Sequence, residues 1–202
     1  MGAKPGDLRT GAVNRHTRGA EAAVGAVHRK KSCKLRPHKE FIMSIFTIGY
    51  EGLDIDQFIK LLKLGKVDTV VDIRELPLSR KRGFSKNGLR EILQANGLGY
   101  RHIVALGCPK PIRNQYREDG DWSRYKRDFK RYLTSQRAVV AELSEIAQES
   151  HCALLCFEAD YQMCHRSMVA DAVHQDCGLQ INHLQAAALK TNNPAQRHLA
   201  LA

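Results

Sequence analysis

Three short stretches of this chain, Ile45–Gly49 (IFTIG), Thr69–Ile73 (TVVDI) and Cys152–Phe157 (CALLCF), carry almost no polar side chain between turn residues. Successive residues of a strand face opposite sides of its sheet. A strand that is apolar on both sides therefore needs cover on both faces. The segments between these runs supply that cover. Asp54 and Gln57 have the spacing of a capping box, and Ile55, Phe58, Ile59 and Leu62 follow with helical period. Ser85 is placed to begin a helix whose apolar face is Leu89, Ile92 and Leu93 and which ends near Asn96-Gly97. A third strand is expected over Tyr100–Val104, a polar loop over 105–120, and one or two helices over 121–149. Met168, Val169, Ala172 and Val173 mark another helix, and LQINHL at 179–184 a last strand. Strand and helix alternate throughout, so the expected fold is a single-domain α/β sandwich of Rossmann-like type with a mostly parallel sheet.

Charge divides the chain. The net charge is +11, and residues 1–42 carry +7 of it, leaving +4 on residues 43–202. The body is thus only mildly basic, and its pI is weak evidence of nucleic-acid binding. Residues 1–42 have no sustained period and few large apolar side chains, so they are expected to be a disordered basic extension, with Met43 as an alternative start. The α/β domain is expected over 43–185 and a frayed tail over 186–202. No apolar stretch approaches a membrane span and no secretory pattern is present, which points to a soluble cytoplasmic protein with reduced thiols. The six cysteines then point to chemistry or metal rather than to disulfides. The oligomeric state is not legible.

In an open parallel sheet, ligands bind beyond the carboxyl ends of the strands. The reactive residue types collect at that predicted edge: Tyr50 after the first strand, Asp72 and Arg74 at the end of the second, His102 by the third, and Cys156 and Glu158 by the fourth. The loop SRKRGFSK at 79–86 brings Arg80, Lys81, Arg82 and Lys86 around Ser85, where free helix N–H groups would add to an anion cradle. Gly83 permits a positive-φ turn there, and Phe84 either stacks on a base or anchors the loop.

The stretch LLCFEADYQMCHRS at 154–167 has three readings. In the first, Cys164 lies in a helix's first turn beside His165 and Arg166, which lowers its pKa and makes a thiolate nucleophile. Cys156 is the alternative nucleophile, with Glu158, Asp72 or His102 moving protons. In the second, the cysteines are packed and Arg166 pairs with Glu158 or Asp72. In the third, Cys156, Cys164 and His165, with Glu158 or His102, hold zinc or iron. The spacing is not a standard zinc pattern, no CxxC pair exists, and Cys and His adjacent in one helix point about 100° apart. No metal site or cofactor is therefore assigned from sequence.

Four ordered blocks carry a family resemblance: FTIGYEG at 46–52, VVDIRELPLSRKRGFSK at 70–86, YRHIVALG at 100–107 and the 154–167 stretch. Together they resemble the DUF488 family of uncharacterised α/β proteins over residues 46–184. Cys156, Glu158, Cys164, His165 and Arg166 match the family's C-x-E…C-H-R block position by position. Where a common family pattern reads Leu-Gly-Gly-Pro, this chain has Leu106-Gly107-Cys108-Pro109, which puts a third thiol near the site. The resemblance implies a fold and a site location but no reaction. The leading functional expectation is a cysteine-dependent transferase or hydrolase acting on a phosphate-bearing small molecule or nucleic acid. Arg74, Arg80, Lys81, Ser85, Lys86, Arg166, Tyr50 and His102 would bind the substrate. The alternatives are a non-catalytic nucleic-acid-binding protein, rhodanese-like sulfur transfer, and a metal-dependent site.

Overall fold

The computed structural model describes residues 44–190. The expectations for residues 1–42, for Met43 as a start and for the part of the 186–202 tail beyond 190 fall outside these residues. The expectation of fraying from 186 is corrected, because Ala186–Leu189 form a 3-10 turn whose Ala188 is buried against the core. Within them the chain runs β1 (Ser44–Gly49), α1 (Ile55–Leu64), β2 (Thr69–Asp72), α2 (Lys86–Ala95) and β3 (Gly99–His102). There follow α3 (Lys110–Asp119), α4 (Trp122–Ser135), α5 (Arg137–Glu149), β4 (Cys152–Cys156), α6 (His165–Cys177) and β5 (Gln180–Leu184). Short 3-10 turns occupy Val104–Leu106 and Ala186–Leu189. No described helix is long and apolar enough to cross a membrane.

The five strands form one all-parallel sheet in the order β3-β2-β4-β1-β5. Both faces are covered, as the unbroken apolar strands require. Ile45, Val71 and Leu154 pack with Phe129, Leu143 and Val169 from α4, α5 and α6 on one face. Ile48, Val70 and Leu155 pack with Phe58, Leu62 and Leu93 from α1 and α2 on the other. The capping box of α1 forms in both directions: the Gln57 N–H donates to Asp54 Oδ1 at 2.8 Å and the Asp54 N–H to Gln57 Oε1 at 3.0 Å.

One expected loop is largely a helix. The 105–120 segment contains α3, which is strongly polar, has no fully buried residue and presents only Ile112 and Tyr116, both partly buried, to the core. Its support is lateral: Tyr116 packs against Trp122 and Tyr125 at ring distances of 5.6 and 5.1 Å, and Arg113 pairs with Glu75 at 2.7 Å. A sequence period cannot report such contacts, because they depend on a neighbouring helix and a distant loop.

The strand order decides what meets at the carboxyl edge. β4 lies between β2 and β1, so Cys156 pairs in register with Gly49. Gly49 is needed for space rather than for backbone freedom. A Cβ there would overlap the Glu158 carbonyl and approach Arg166 Nη1 to 3.2 Å. The loop after β4 can therefore lie directly on the end of β1. Gly49→Ala is expected to destabilise the protein by about 1–3 kcal/mol, the usual cost of overpacking, as a lower urea midpoint at unchanged slope. Faster alkylation of Cys156 should accompany it, because the displaced loop uncovers that thiol.

Candidate functional site

At the end of β2, Asp72 is fully buried and both of its carboxylate oxygens are committed. Oδ1 accepts from Arg74 Nε at 2.8 Å and from the Arg74 N–H at 3.1 Å. Oδ2 accepts from Arg74 Nη2 at 2.6 Å and from the Tyr100 hydroxyl at 2.7 Å. Arg74 Nη1 continues the network to the Phe84 carbonyl at 2.8 Å and to the Tyr50 hydroxyl at 3.2 Å, and His102 Nε2 donates to the Arg74 carbonyl at 2.9 Å. Burial works to lower the Arg74 pKa, but the Asp72 carboxylate outweighs it and holds the guanidinium charged. Burial and the charge of Asp72 likewise keep Tyr100 protonated as a donor. With no free lone pair facing open space, Asp72 is an anchor for Arg74 rather than a proton-transfer group. His102 holds the backbone of that anchor.

The second group lies around the end of β4. Cys156 Sγ is 2.9 Å and Cys164 Sγ 3.0 Å from the same oxygen, Glu158 Oε2, and Cys156 Sγ is 3.6 Å from His165 Nδ1. The ligand-type atoms of these four residues all lie within 4.8 Å of one another. The far ring nitrogen, His165 Nε2, donates to the Ile73 carbonyl at 3.2 Å. Arg166 is buried beneath the loop, where Nη1 donates to the Glu158 carbonyl at 2.5 Å and Nη2 to the Ala159 carbonyl at 2.9 Å. It holds backbone, and it forms no ion pair with Glu158 or Asp72.

This geometry corrects the expectation of a low-pKa thiol at Cys164. That residue is the N-cap of α6, in extended conformation, and it is 1% exposed. Burial first, and then the adjacent Cys156, push its pKa well above the ordinary value, and the opposing influence of His165 is smaller. Burial also raises Cys156, with the Glu158 charge adding to it. Burial favours a protonated Glu158, yet hydrogen bonds from the two thiols outweigh it and lower its pKa. Burial opposes charge on His165, but contact with Cys164 and the Glu158 charge prevail and raise its pKa. The stable arrangement is thus two thiols donating to one carboxylate.

The basic loop is also used differently from expectation. Ser85 Oγ donates to the Ser79 carbonyl at 2.9 Å and accepts from its N–H at 3.2 Å, so it makes no side-chain cap. The Lys86 N–H donates to the Pro77 carbonyl at 2.9 Å. Lys81 Nζ donates to the Tyr50 carbonyl at 3.3 Å and lies 5.7 Å from the centre of the Phe84 ring. Phe84 is buried and stacked on Tyr50 at 4.4 Å, so it anchors the loop and cannot receive a base. Gly83 takes φ +86°, the turn its position suggested. Of Arg80, Lys81, Ser85 and Lys86, only Arg80 lines the adjoining cleft.

That cleft has a volume of about 1170 Å³. Tyr50, Arg74, Cys156, Glu158 and His165 line it, and so do residues that sequence reading did not single out: Glu75, Lys110, Arg113, Arg117, Tyr116, Trp122 and Tyr125. Most of these belong to the 105–120 segment and the start of α4. The available signal was positional, since this segment leaves the same carboxyl edge of the sheet and holds a dense set of arginines and aromatic residues. Leu76, Leu78, Phe157 and Met163 are exposed apolar residues, and all four lie along the cleft.

A family model described as "Domain of unknown function DUF488" matches residues 54–173, more than half of the chain. No curated protein and no solved structure matches.

Thiol exposure gives a direct check on this geometry. Among the described cysteines only Cys177 is more than slightly exposed, so iodoacetamide at neutral pH, followed by peptide mapping, should modify Cys177 before Cys156 or Cys164. Burial also pushes the Cys108 thiol up to about 11 from an ordinary 9.0. Because the folded value is the higher one, its stabilising effect is complete below pH 9 and is lost as the pH climbs through about 11. Urea midpoints measured across that window should fall in the wild type, and less steeply in Cys108→Ala.

Proposed function

We propose that this chain, which belongs to the DUF488 family of domains of unknown function, is an enzyme that takes a phosphate-bearing aromatic substrate of nucleotide type into its cleft. The carrying observation is what shares that cleft. Its lining joins the Cys156–Glu158–His165 cluster to three cations, Arg80, Lys110 and Arg117, that have no ion-pair partner among the described residues, and to the aromatic group Tyr116, Trp122 and Tyr125. Cations beside a concave wall attract phosphate, and aromatic faces receive a flat ring by stacking. A cluster of thiol, carboxylate and imidazole at the same wall supplies the groups that acyl, phosphoryl or glycosyl chemistry uses.

Several features support this division of labour. Arg74 and Arg113 are held in place by Asp72 and Glu75, which leaves the other three cations for a ligand. Trp122 stacks on Tyr125 at 4.7 Å with 17° between the rings, so the aromatic wall is pre-formed. The exposed Leu76, Leu78, Phe157 and Met163 would be covered by a bound substrate, which accounts for apolar side chains at a polar opening.

Trp122 is the chain's single tryptophan, so its fluorescence reports on this cleft alone. Titration with nucleoside mono-, di- and triphosphates and with short oligonucleotides should quench it, and added salt should weaken the effect. Arg80→Ala and Arg117→Ala are each expected to reduce affinity about tenfold or more, the scale of a hydrogen bond to a charged group. The reading fails if the free nucleoside quenches as well as its phosphates do, or if none of these ligands changes the emission.

A further inference from the structure

The cluster of Cys156, Glu158, Cys164 and His165, three of whose members line the cleft, has more polar capacity than it uses internally. We propose that Cys156, Glu158, Cys164 and His165 form a binding site for one divalent transition-metal ion of the zinc class. The inference is independent of which substrate fills the cleft.

The donor set is the first argument. Two sulfurs, an imidazole nitrogen and a carboxylate oxygen suit a borderline-soft, four-coordinate ion. Their spacing is the second. With zinc–sulfur bonds of about 2.3 Å and zinc–nitrogen bonds of about 2.0 Å, a tetrahedral sulfur–nitrogen edge is about 3.5 Å. Cys156 Sγ and His165 Nδ1 are 3.6 Å apart. The two sulfur–oxygen separations, 2.9 and 3.0 Å, are shorter than the corresponding edge by about half an ångström, which small side-chain rotations recover.

The surroundings are the third argument. His165 Nε2 faces the Ile73 carbonyl, which can only accept. That places the ring hydrogen on Nε2 and leaves the Nδ1 lone pair for an ion, the arrangement usual around metal-binding histidines. Arg166 and the close approach of Gly49 hold the backbone that carries Glu158. No Lys or Arg forms an ion pair with Glu158 among the described residues. Thiols are weak hydrogen-bond donors, so a cation compensates this carboxylate better than they do. Cys156, Glu158 and His165 line the cleft, which gives an ion a route in.

The sequence objection to shared ligation does not apply. It assumed that Cys164 and His165 are neighbours within one helix. Cys164 is instead extended, at φ −136° and ψ 142°, and His165 is the first helical residue. The change of backbone conformation between them lets both side chains turn toward Glu158.

Binding breaks the two S–H bonds, forms two metal–sulfur bonds and releases two protons to solvent, with no change of oxidation state. With Glu158 ionised and His165 neutral, a dication leaves the centre with one net negative charge.

The test uses the full-length reduced chain and the metal ions alone. Protein purified without chelator should contain about one equivalent of zinc or a related ion. Chelator-treated protein given Co²⁺ should develop a thiolate-to-cobalt charge-transfer band together with intense tetrahedral d–d bands. Titration with Zn²⁺ in weak buffer should release about two protons per ion from the thiols, and a third at any pH where His165 is protonated beforehand. Changing a group that only orients a ligand costs about 10- to 100-fold in metal affinity, so Cys156→Ser and Cys164→Ser should each lose at least that much. Cys177→Ser, which changes a thiol outside the cluster, should bind as wild type does. The wild-type cobalt spectrum decides the matter even if a variant fails to fold: without a charge-transfer band, the proposal is overturned. A band that persists unchanged in folded Cys156→Ser and Cys164→Ser overturns it equally, since the ion is then elsewhere. Trp122 quenching by nucleotides is read separately, so metal binding and substrate binding can fail one without the other.

Discussion

The buried contact between Asp72 and Arg74 is the point from which the carboxyl edge of the sheet is organised. A carboxylate and a guanidinium taken from water lose several kcal/mol of hydration each, and their attraction repays this only when every polar atom finds a partner. Here Asp72 receives four hydrogen bonds, and Arg74 reaches Tyr50 and the Phe84 carbonyl as well. Those partners come from the ends of β1 and β2, from Tyr100 within β3 and from the loop before α2. Moving any one of them leaves a buried charge unsatisfied. The pair therefore serves less as a source of stability than as a constraint that allows one arrangement of these loops.

Arg166 organises the other half of the edge through carbonyls rather than a carboxylate, and less completely: its buried Nε has no hydrogen-bond partner among the described residues. It is 1% exposed, and its two terminal nitrogens bind the carbonyls of Glu158 and Ala159. The loop after β4 is thereby fixed at the residue whose side chain reaches both thiols. Two buried arginines, one from each half of the edge, set the backbone on which the cluster is built. This explains why so many polar residues of the site do not line the cleft.

The alternation of strands and helices was legible because an apolar run and a helical period are local signals. The α1 capping box was legible for the same reason. The order of the strands was not, because it depends on which apolar surfaces meet. Without that order, nothing showed that Cys156 would emerge between Gly49 and Asp72. α3 was hidden because its support comes from Arg113–Glu75 and from Tyr116 against α4, contacts across the fold. Cys164 was placed correctly at the start of a helix but misread in its electrostatics. A helix dipole contributes a partial charge near the surface, whereas near-complete burial, with Cys156 alongside, penalises the thiolate far more. The basic loop was misread in a related way: its Lys81 and Ser85 make contacts within the fold, and a count of cations cannot tell such residues from those facing a ligand.

Charge within the cleft runs in one direction, and this bears on how a substrate would lie. Arg80, Lys110 and Arg117 are cationic wall residues, while the cluster carries the Glu158 charge, and with a bound dication and two thiolates it remains negative by one unit. A phosphate is drawn to the cations and repelled from the floor. An aromatic ring gains nothing from either charge and is best accommodated against Tyr116, Trp122 and Tyr125. A molecule that carries both groups is then oriented before it touches a reacting atom, with its uncharged linkage as the part best able to approach the cluster. Were the proposed ion bound, two thiolates would make it less electrophilic than a three-histidine site would, and a reaction there would depend more on this orientation and on an exchangeable ligand. Glu158 would then be the ligand best suited to exchange, because it is the only one of the four that is not buried and it extends from a loop rather than from a strand end or a helix start.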